Sequence, residues 1–200
     1  MSEKPVLLWF RQDLRLSDNP ALSAAVASGA PILPVYVLDD ATPGRWAPGG
    51  ASRWWLHHSL ASLANCLQTR GASLHLARSS DAAATIRDLA AKTGAGAVYW
   101  NRCYEPFAVT RDTALKKALK ADGVEVESFN ASLLFEPWEV KTKSGTPPKV
   151  FSPYWRALRG LGEPAMPETA PEHIPAIDSA RDSAVLDDWG LLPTKPDWAA

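Results

Sequence analysis

Charge imbalance, cysteine and long apolar runs are all scarce in this chain, and each scarcity removes a class of function. With 21 basic and 22 acidic residues the net charge is -1. The sequence therefore has no basic excess of the kind that neutralises phosphates in a protein gripping DNA unaided. Any DNA-binding surface is expected in sequence outside these 200 residues. Cys66 and Cys103 are the only cysteines and stand in no CxxC or Cys/His spacing. A disulfide framework and a structural zinc site are thereby disfavoured, and two reduced thiols are expected. No stretch approaches the roughly 18 consecutive apolar residues of a membrane span. The apolar part of MSEKPVLLWF is too short for a signal peptide, so the expected location is cytoplasmic. His57 and His58 have no partner at metal-ligand spacing, and no Ser-His-Asp or Cys-His set can be argued.

What is present is a chain with 46% hydrophobic residues, enough for one ordinary core plus an appendage. Residues 6–10 form a short apolar run without alternation, the pattern of a strand buried on both faces of a parallel sheet. Asp18, Asn19 and Pro20 then supply a cap and a first-turn proline for a helix ending at Gly29. Further strands are predicted over 32–38, 73–77, 97–101 and 124–129. Between them, Ser52 is read as the cap of a helix with Leu56, Leu60, Leu63 and Leu67 on one stripe and Gly71 beyond its end. Asp81 opens a helix stopped by Gly94 or Gly96, and another runs through Leu115 and Leu119 to Gly123. The loop over 39–50 is unusually long.

Five alternations of strand and helix predict an α/β fold, a Rossmann-like open sheet of five parallel strands with helices on both faces. Ligands in such sheets bind at the carboxyl ends of the strands, beside the switch in strand order. From Pro137 onward prolines crowd the chain. We read residues 1–135 as the α/β domain and 136–200 as a long Pro-rich connector reaching towards another domain. The first strand-to-helix turn, WFRQDLRLSDNPAL, contains neither GxGxxG nor GxxxxGKS/T, which argues against dinucleotide and P-loop chemistry. It holds Arg11, Asp13, Arg15 and Asp18 instead, charges of alternating sign that suit an ion-paired loop.

That turn resembles the opening signature of the photolyase and cryptochrome family. PVYVLD (34–39), GASRWWLHHSLASL (50–63), WNRCYEP (100–106) and KVFSPYWRA (149–157) agree with the same family in order and spacing. The resemblance implies the amino-terminal light-harvesting half of a deoxyribodipyrimidine photolyase, cut off before a helical domain that binds FAD and UV-damaged DNA and repairs pyrimidine dimers. A cryptochrome photoreceptor without repair activity is the alternative, and a stand-alone nucleotide-binding protein a third. It further implies an antenna chromophore, methenyltetrahydrofolate or 8-hydroxy-5-deazaflavin and less readily FMN, and a monomer that is inactive as this chain alone.

Among residues, the resemblance puts Glu105 first, as a carboxylate accepting hydrogen bonds from ring N–H or amino groups; a surface pair with arginine is the other reading. Asn101 and Cys103 share its strand exit, where Asn101 could equally cap the loop. Cys103 replaces a polar residue of some deazaflavin-binding relatives. Arg53 matches a pigment-contacting arginine, against helix capping or an ion pair. Tyr36, Leu38 and Asp39 would wall the pocket, and Trp46 would cover it or pack locally.

Overall fold

A computed structural model describes residues 4–142, 145–177, 182–193 and 195. Five strands, β1 (Val6–Phe10), β2 (Ile32–Asp39), β3 (His75–Ser79), β4 (Ala97–Asn101) and β5 (Glu125–Phe129), alternate with α1 (Pro20–Ala27), α2 (Gly50–Gln68), α3 (Ala82–Thr93) and α4 (Pro106–Ala121). A further helix, α5 (Phe151–Arg159), follows. The sheet is parallel in the order β3-β2-β1-β4-β5, so the order reverses between β1 and β4.

Both central strands are buried along their whole length, which is why their sequences do not alternate. On one face Leu8, Phe10, Ile32, Tyr36 and Leu38 meet Leu22 and Ala25 of α1 and Leu60, Leu63 and Leu67 of α2. On the other, Leu7, Trp9, Val35, Val98 and Trp100 meet Ile86 of α3 and Leu115 and Leu119 of α4. Helix ends follow their capping chemistry. Asn19 Oδ1 accepts from Leu22 N at 3.1 Å with Pro20 in the first turn. Asp81 Oδ1 accepts from Ala84 N at 3.0 Å, and α3 stops at left-handed Gly94. At α2 the expectation needs correcting: the helix starts at Gly50 behind Gly49, which places Ser52 inside the first turn rather than at the cap.

β3 also begins two residues later than predicted, pairing from Val35↔His75 to Asp39↔Ser79. The place beside the start of β2 is already taken. Ile32 N donates to Pro175 O at 2.6 Å and Ile177 N donates to Ile32 O at 3.0 Å, with a parallel bridge at Ala176. Farther on, Leu76 N donates to Ser183 Oγ at 3.0 Å and Ala184 N to Leu76 O at 2.8 Å, so the outer edge of β3 is covered as well. Ile174, Trp189 and Leu191 are buried in the core on the α2 side. Part of 136–200 is thus built into the α/β unit rather than running as a connector across its surface. Burial of apolar area drives this, and unpaired strand groups supply the register. The expected helical pieces beyond 136 are α5 and a short turn at Leu186–Trp189.

The turn after β1 is held by a buried polar cluster. Arg11 N donates to Asp13 Oδ1 at 2.8 Å, and the Arg11 guanidinium pairs with Asp112 of α4 at 2.6 Å and also donates to Asn101 O. Asn101 Nδ2 donates to Asp13 Oδ2 at 2.5 Å and Asn19 Oδ1 at 2.7 Å, while its Oδ1 accepts from Ala21 N at 3.1 Å. Arg15 and Asp18 form a looser exposed pair at 3.8 Å. The alternating charges therefore fix the turn, as expected of an ion-paired loop.

Three substitutions test these contacts. Asn101→Ala leaves buried partners at Asp13 of the turn, at the Asn19 cap and at Ala21 of α1 unsatisfied and should cost about 2–4 kcal/mol. Ile174→Ala should cost a comparable ~2–4 kcal/mol if the late segment is core, whereas Leu161→Ala, exposed, should stay within about 0.5 kcal/mol. Urea unfolding followed by circular dichroism reads all three; a neutral Ile174→Ala would return the segment to the surface.

Candidate functional site

Beside the order reversal, the exits of β1, β2 and β4 enclose a cavity of about 130 Å³ at the carboxyl edge of the sheet. Trp9, Arg11 and Gln12 come from β1 and the turn behind it, Tyr36, Leu38 and Asp39 from β2, Pro43 and Pro48 from the long loop, and Cys103, Phe107 and Arg111 from the β4 exit and α4. A cavity of about 300 Å³ adjoins at Leu38, and one of about 160 Å³ adjoins at Gln12 and Cys103. Taken singly the central cavity is smaller than the roughly 300–1,000 Å³ of small-molecule sites. It accommodates a ring edge, with room to either side.

Glu105 is the residue before Pro106, the first of α4, so it stands at the carboxyl end of β4 on the same edge of the sheet as Leu38. Its Oε1 accepts from Gln12 Nε2 at 2.7 Å. Its Oε2 is shielded from solvent and has no hydrogen-bond partner among the described residues. Burial alone would raise the Glu105 pKa, but the Gln12 hydrogen bond, its own backbone N–H and the charges of Arg11 and Arg111 hold it below the ordinary 4.5. Glu105 is therefore a carboxylate at neutral pH with one acceptor oxygen to spare.

The floor is cationic and aromatic. The guanidiniums of Arg11 and Arg111 lie 4.8 and 4.7 Å from the Trp9 ring centroid, and Trp100 packs its ring against Trp9 at 5.9 Å in a T arrangement. Asp112 serves both cations, Arg11 through Oδ2 at 2.6 Å and Arg111 through Oδ1 at 2.9 Å. Nearby, burial pushes the Cys103 thiol pKa up, and the Glu105 and Asp112 carboxylates act with it against the lowering by Arg11. Burial, then the Asp40 charge, pushes up the Tyr36 phenol.

The residues anticipated from sequence divide into three groups. Tyr36, Leu38, Asp39 and Cys103 line the central cavity, whereas Glu105 stands outside that lining and is joined to it through Gln12. Asp39, however, spends both oxygens locally: Oδ1 accepts from Ala41 N and Thr42 N at 3.0 and 2.9 Å, and Oδ2 accepts from the Thr42 hydroxyl and from Ala82 N at the start of α3. Those bonds lower its pKa against the opposing effect of burial. Asn101 borders only the neighbouring cavity and is consumed by the turn. Arg53 pairs with Asp40 at 2.9 Å and donates to Pro48 O at 3.0 Å, fastening the long loop to α2. Trp46 is 70% exposed with Arg45 stacked on it at 4.8 Å, outside the cavity lining. Among the described residues no cluster of His, Cys, Asp or Glu could hold a metal, and no helix is long and apolar enough to cross a membrane.

Sequence reasoning overlooked Trp9 and Arg111 as site residues; Arg11 and Phe107 fall within the strand-exit stretches 11–18 and 101–107 where a ligand is expected, without being assigned a contact. One signal was available. Ala108, Asp112, Leu115 and Leu119 form the buried stripe of α4, and a carboxylate within such a stripe needs a buried cation opposite.

The sequence profile of the DNA photolyase family matches residues 6–173. The chain is 50% identical over 195 residues to a deoxyribodipyrimidine photo-lyase of Agrobacterium fabrum, covering 98% of this chain and 40% of that protein. It is 40% identical over 186 residues to cryptochrome-1 of Arabidopsis thaliana, covering 91% of this chain and 27% of the relative. The crystal structure of a bacterial class III photolyase from Agrobacterium tumefaciens superposes with a TM-score of 0.91 at 48% identity, over 100% of this chain and 40% of the other. The chain thus spans about two fifths or less of the length of these relatives. With the sheet order, the motifs and these likenesses in agreement, the chain belongs to the DNA photolyase family.

Proposed function

We propose that this chain is the light-harvesting α/β part of a deoxyribodipyrimidine photolyase, and that its pigment sits on the shelf formed by the exits of β2 and β4. The likeness in name and sequence to a photo-lyase, at 50% identity against 40% for the cryptochrome, favours repair over signalling. The observation that carries the pigment reading is the shielded, unpartnered Glu105 Oε2 on a carboxylate that is hydrogen-bonded to Gln12 of a cavity walled by Tyr36, Leu38 and Phe107. A flat heterocycle with an N–H or amino group satisfies that oxygen, and apolar walls desolvate it. Methenyltetrahydrofolate and 8-hydroxy-5-deazaflavin both meet this description, and FMN meets it less fully. A bound pigment of this kind supplies strong absorption where flavin absorbs weakly.

This chain's own residues do the holding. Glu105 accepts from the ring, Gln12 orients the carboxylate, Leu38 and Tyr36 exclude water, and the Arg53–Asp40 pair keeps the long loop against α2 so that Pro43 and Pro48 close one wall. FAD, UV-damaged DNA and the chemistry of dimer splitting belong to sequence beyond the two fifths of the relative's length that this chain covers. The balanced charge fits a unit with no phosphate grip of its own. We further read the whole as a cytoplasmic monomer in which this chain alone is inactive and residues 136–200 connect towards the flavin-binding part.

Glu105→Ala in the intact protein should lower antenna occupancy roughly tenfold or more, the worth of a charge-assisted hydrogen bond, while FAD content per protein is unchanged; absorption spectra of the released cofactors measure both. Because the folded-state pKa of Glu105 is depressed, the carboxylate's contribution to retention is present above the ordinary 4.5 and is lost as pH falls below it. Retention should therefore be flat from about pH 5.5 to 8. Blue-light splitting of a pyrimidine dimer by the intact protein separates the two readings of the family: splitting supports the photolyase, and its absence leaves the cryptochrome.

A further inference from the structure

Two hydrogen-bond donors on the cavity floor have nothing to donate to. Arg11 Nε and Trp9 Nε1 are both shielded from solvent and without a partner among the described residues. Both residues line the central cavity, with the Arg11 side chain 6% exposed and Trp9 1% exposed. An unsatisfied buried donor is costly and rare in folded proteins, so two in one cavity wall call for an acceptor.

Neither donor can turn away to find one. The Arg11 guanidinium is fixed at its other two nitrogens, Nη1 on Asp112 and Nη2 on Asn101 O. The Trp9 ring is covered by the Arg11 and Arg111 guanidiniums and braced by Trp100. Asp112 and Asp13 are also spent, the first on Arg11 and Arg111 and the second on the Arg11 backbone and Asn101, and Glu105 Oε2 makes no hydrogen bond to either donor. Such immobile donors are preorganised for a ligand, because binding orders nothing further.

We propose that Arg11 Nε and Trp9 Nε1 form a carbonyl-reading floor, so that the pocket selects a planar heterocycle presenting a ring carbonyl oxygen downward. The selection rests on the antenna reading above and adds to it a second contact of opposite polarity to Glu105. Where Glu105 Oε2 asks for a ring N–H, the floor asks for a ring C=O. Together they describe a cyclic lactam, the group common to pterins and flavin-type rings. A guanidinium is suited to this because its charge strengthens the donated bond without a proton leaving. A carbonyl is also a better occupant than a further cation, since two guanidiniums already share the single carboxylate of Asp112.

The test titrates the chain, 15N-labelled at indole and arginine Nε, with methenyltetrahydrofolate, 8-hydroxy-5-deazaflavin and FMN in turn. The expected result is that the pigment that binds moves the Trp9 Nε1–H and Arg11 Nε–H resonances downfield while that of exposed Trp46 stays in place. Trp9→Phe, which keeps a ring and removes the donor, should weaken binding about fivefold to tenfold. The Arg11 Nε–H signal of the unsubstituted chain decides the matter should Trp9→Phe fail to fold. Binding that leaves both resonances unmoved overturns the carbonyl-reading floor and spares the antenna reading. Failure of all three pigments to bind overturns the antenna reading and this inference with it.

Discussion

The Arg11–Asp112 ion pair is the interaction on which the carboxyl edge of this sheet depends. It joins the residue after β1 to the middle of α4 at 2.6 Å in a setting where both side chains are nine-tenths hidden. Removing Asp112 alone would leave the buried Arg11 charge without its carboxylate, which is far worse than lacking the pair altogether. Asn101 adds the third corner by tying β4 to the same turn and to the first residues of α1. Strands that are neighbours in space but some ninety positions apart in sequence thus share one polar knot. The cavity beside it inherits a rigid wall on the β1, β4 and α4 side, which is the condition for precise placement of a small molecule.

Much of this architecture was legible in the residues because local and global signals agreed. β1 and β4 fall on their predicted bounds, since each is an unbroken apolar run, VLLWF in β1 and AVYW closed by Asn101 in β4, followed by a polar turn. Asn19, Asp81 and Gly94 cap as their chemistry dictates. The cavity wall at Tyr36, Leu38, Asp39 and Cys103 came from the family motifs, and the sheet places all four at one edge. What escaped was tertiary. The start of β3 is set by Pro175 and Ile177, about a hundred residues away, and no pattern within β3 announces it. Arg53 was assigned by motif and Trp46 by its place in the long loop, yet Asp40 and Arg45 engage their side chains, and neither lines the cavity.

The proline-rich stretch shows how composition can mislead about role. Prolines and interspersed acids read as a spacer, and the region around α5 fits that description, with Phe151 and Trp155 exposed and stacked on each other 6.2 Å apart. Farther along, a few apolar residues spaced among the prolines are enough to change the outcome. Ile174, Trp189 and Leu191 each lose nearly all their exposure to the α2 side of the core. Proline assists here, because Pro175 presents a carbonyl to Ile32 N in an extended backbone without needing a partner for a missing N–H.

The bridge between Ile32 and Ala176 has a consequence for assembly during synthesis. Ile32 leaves the ribosome long before the residues that complete its hydrogen bonding, since the intervening chain holds three of the five strands. Contacts so distant in sequence carry a large loop-closure cost and form late. A nascent chain that has finished β5 therefore still shows an unfilled gap at the β2 corner and a bare β3 flank, both open to chaperones or to pairing with another chain. Translation past residue 184 closes them.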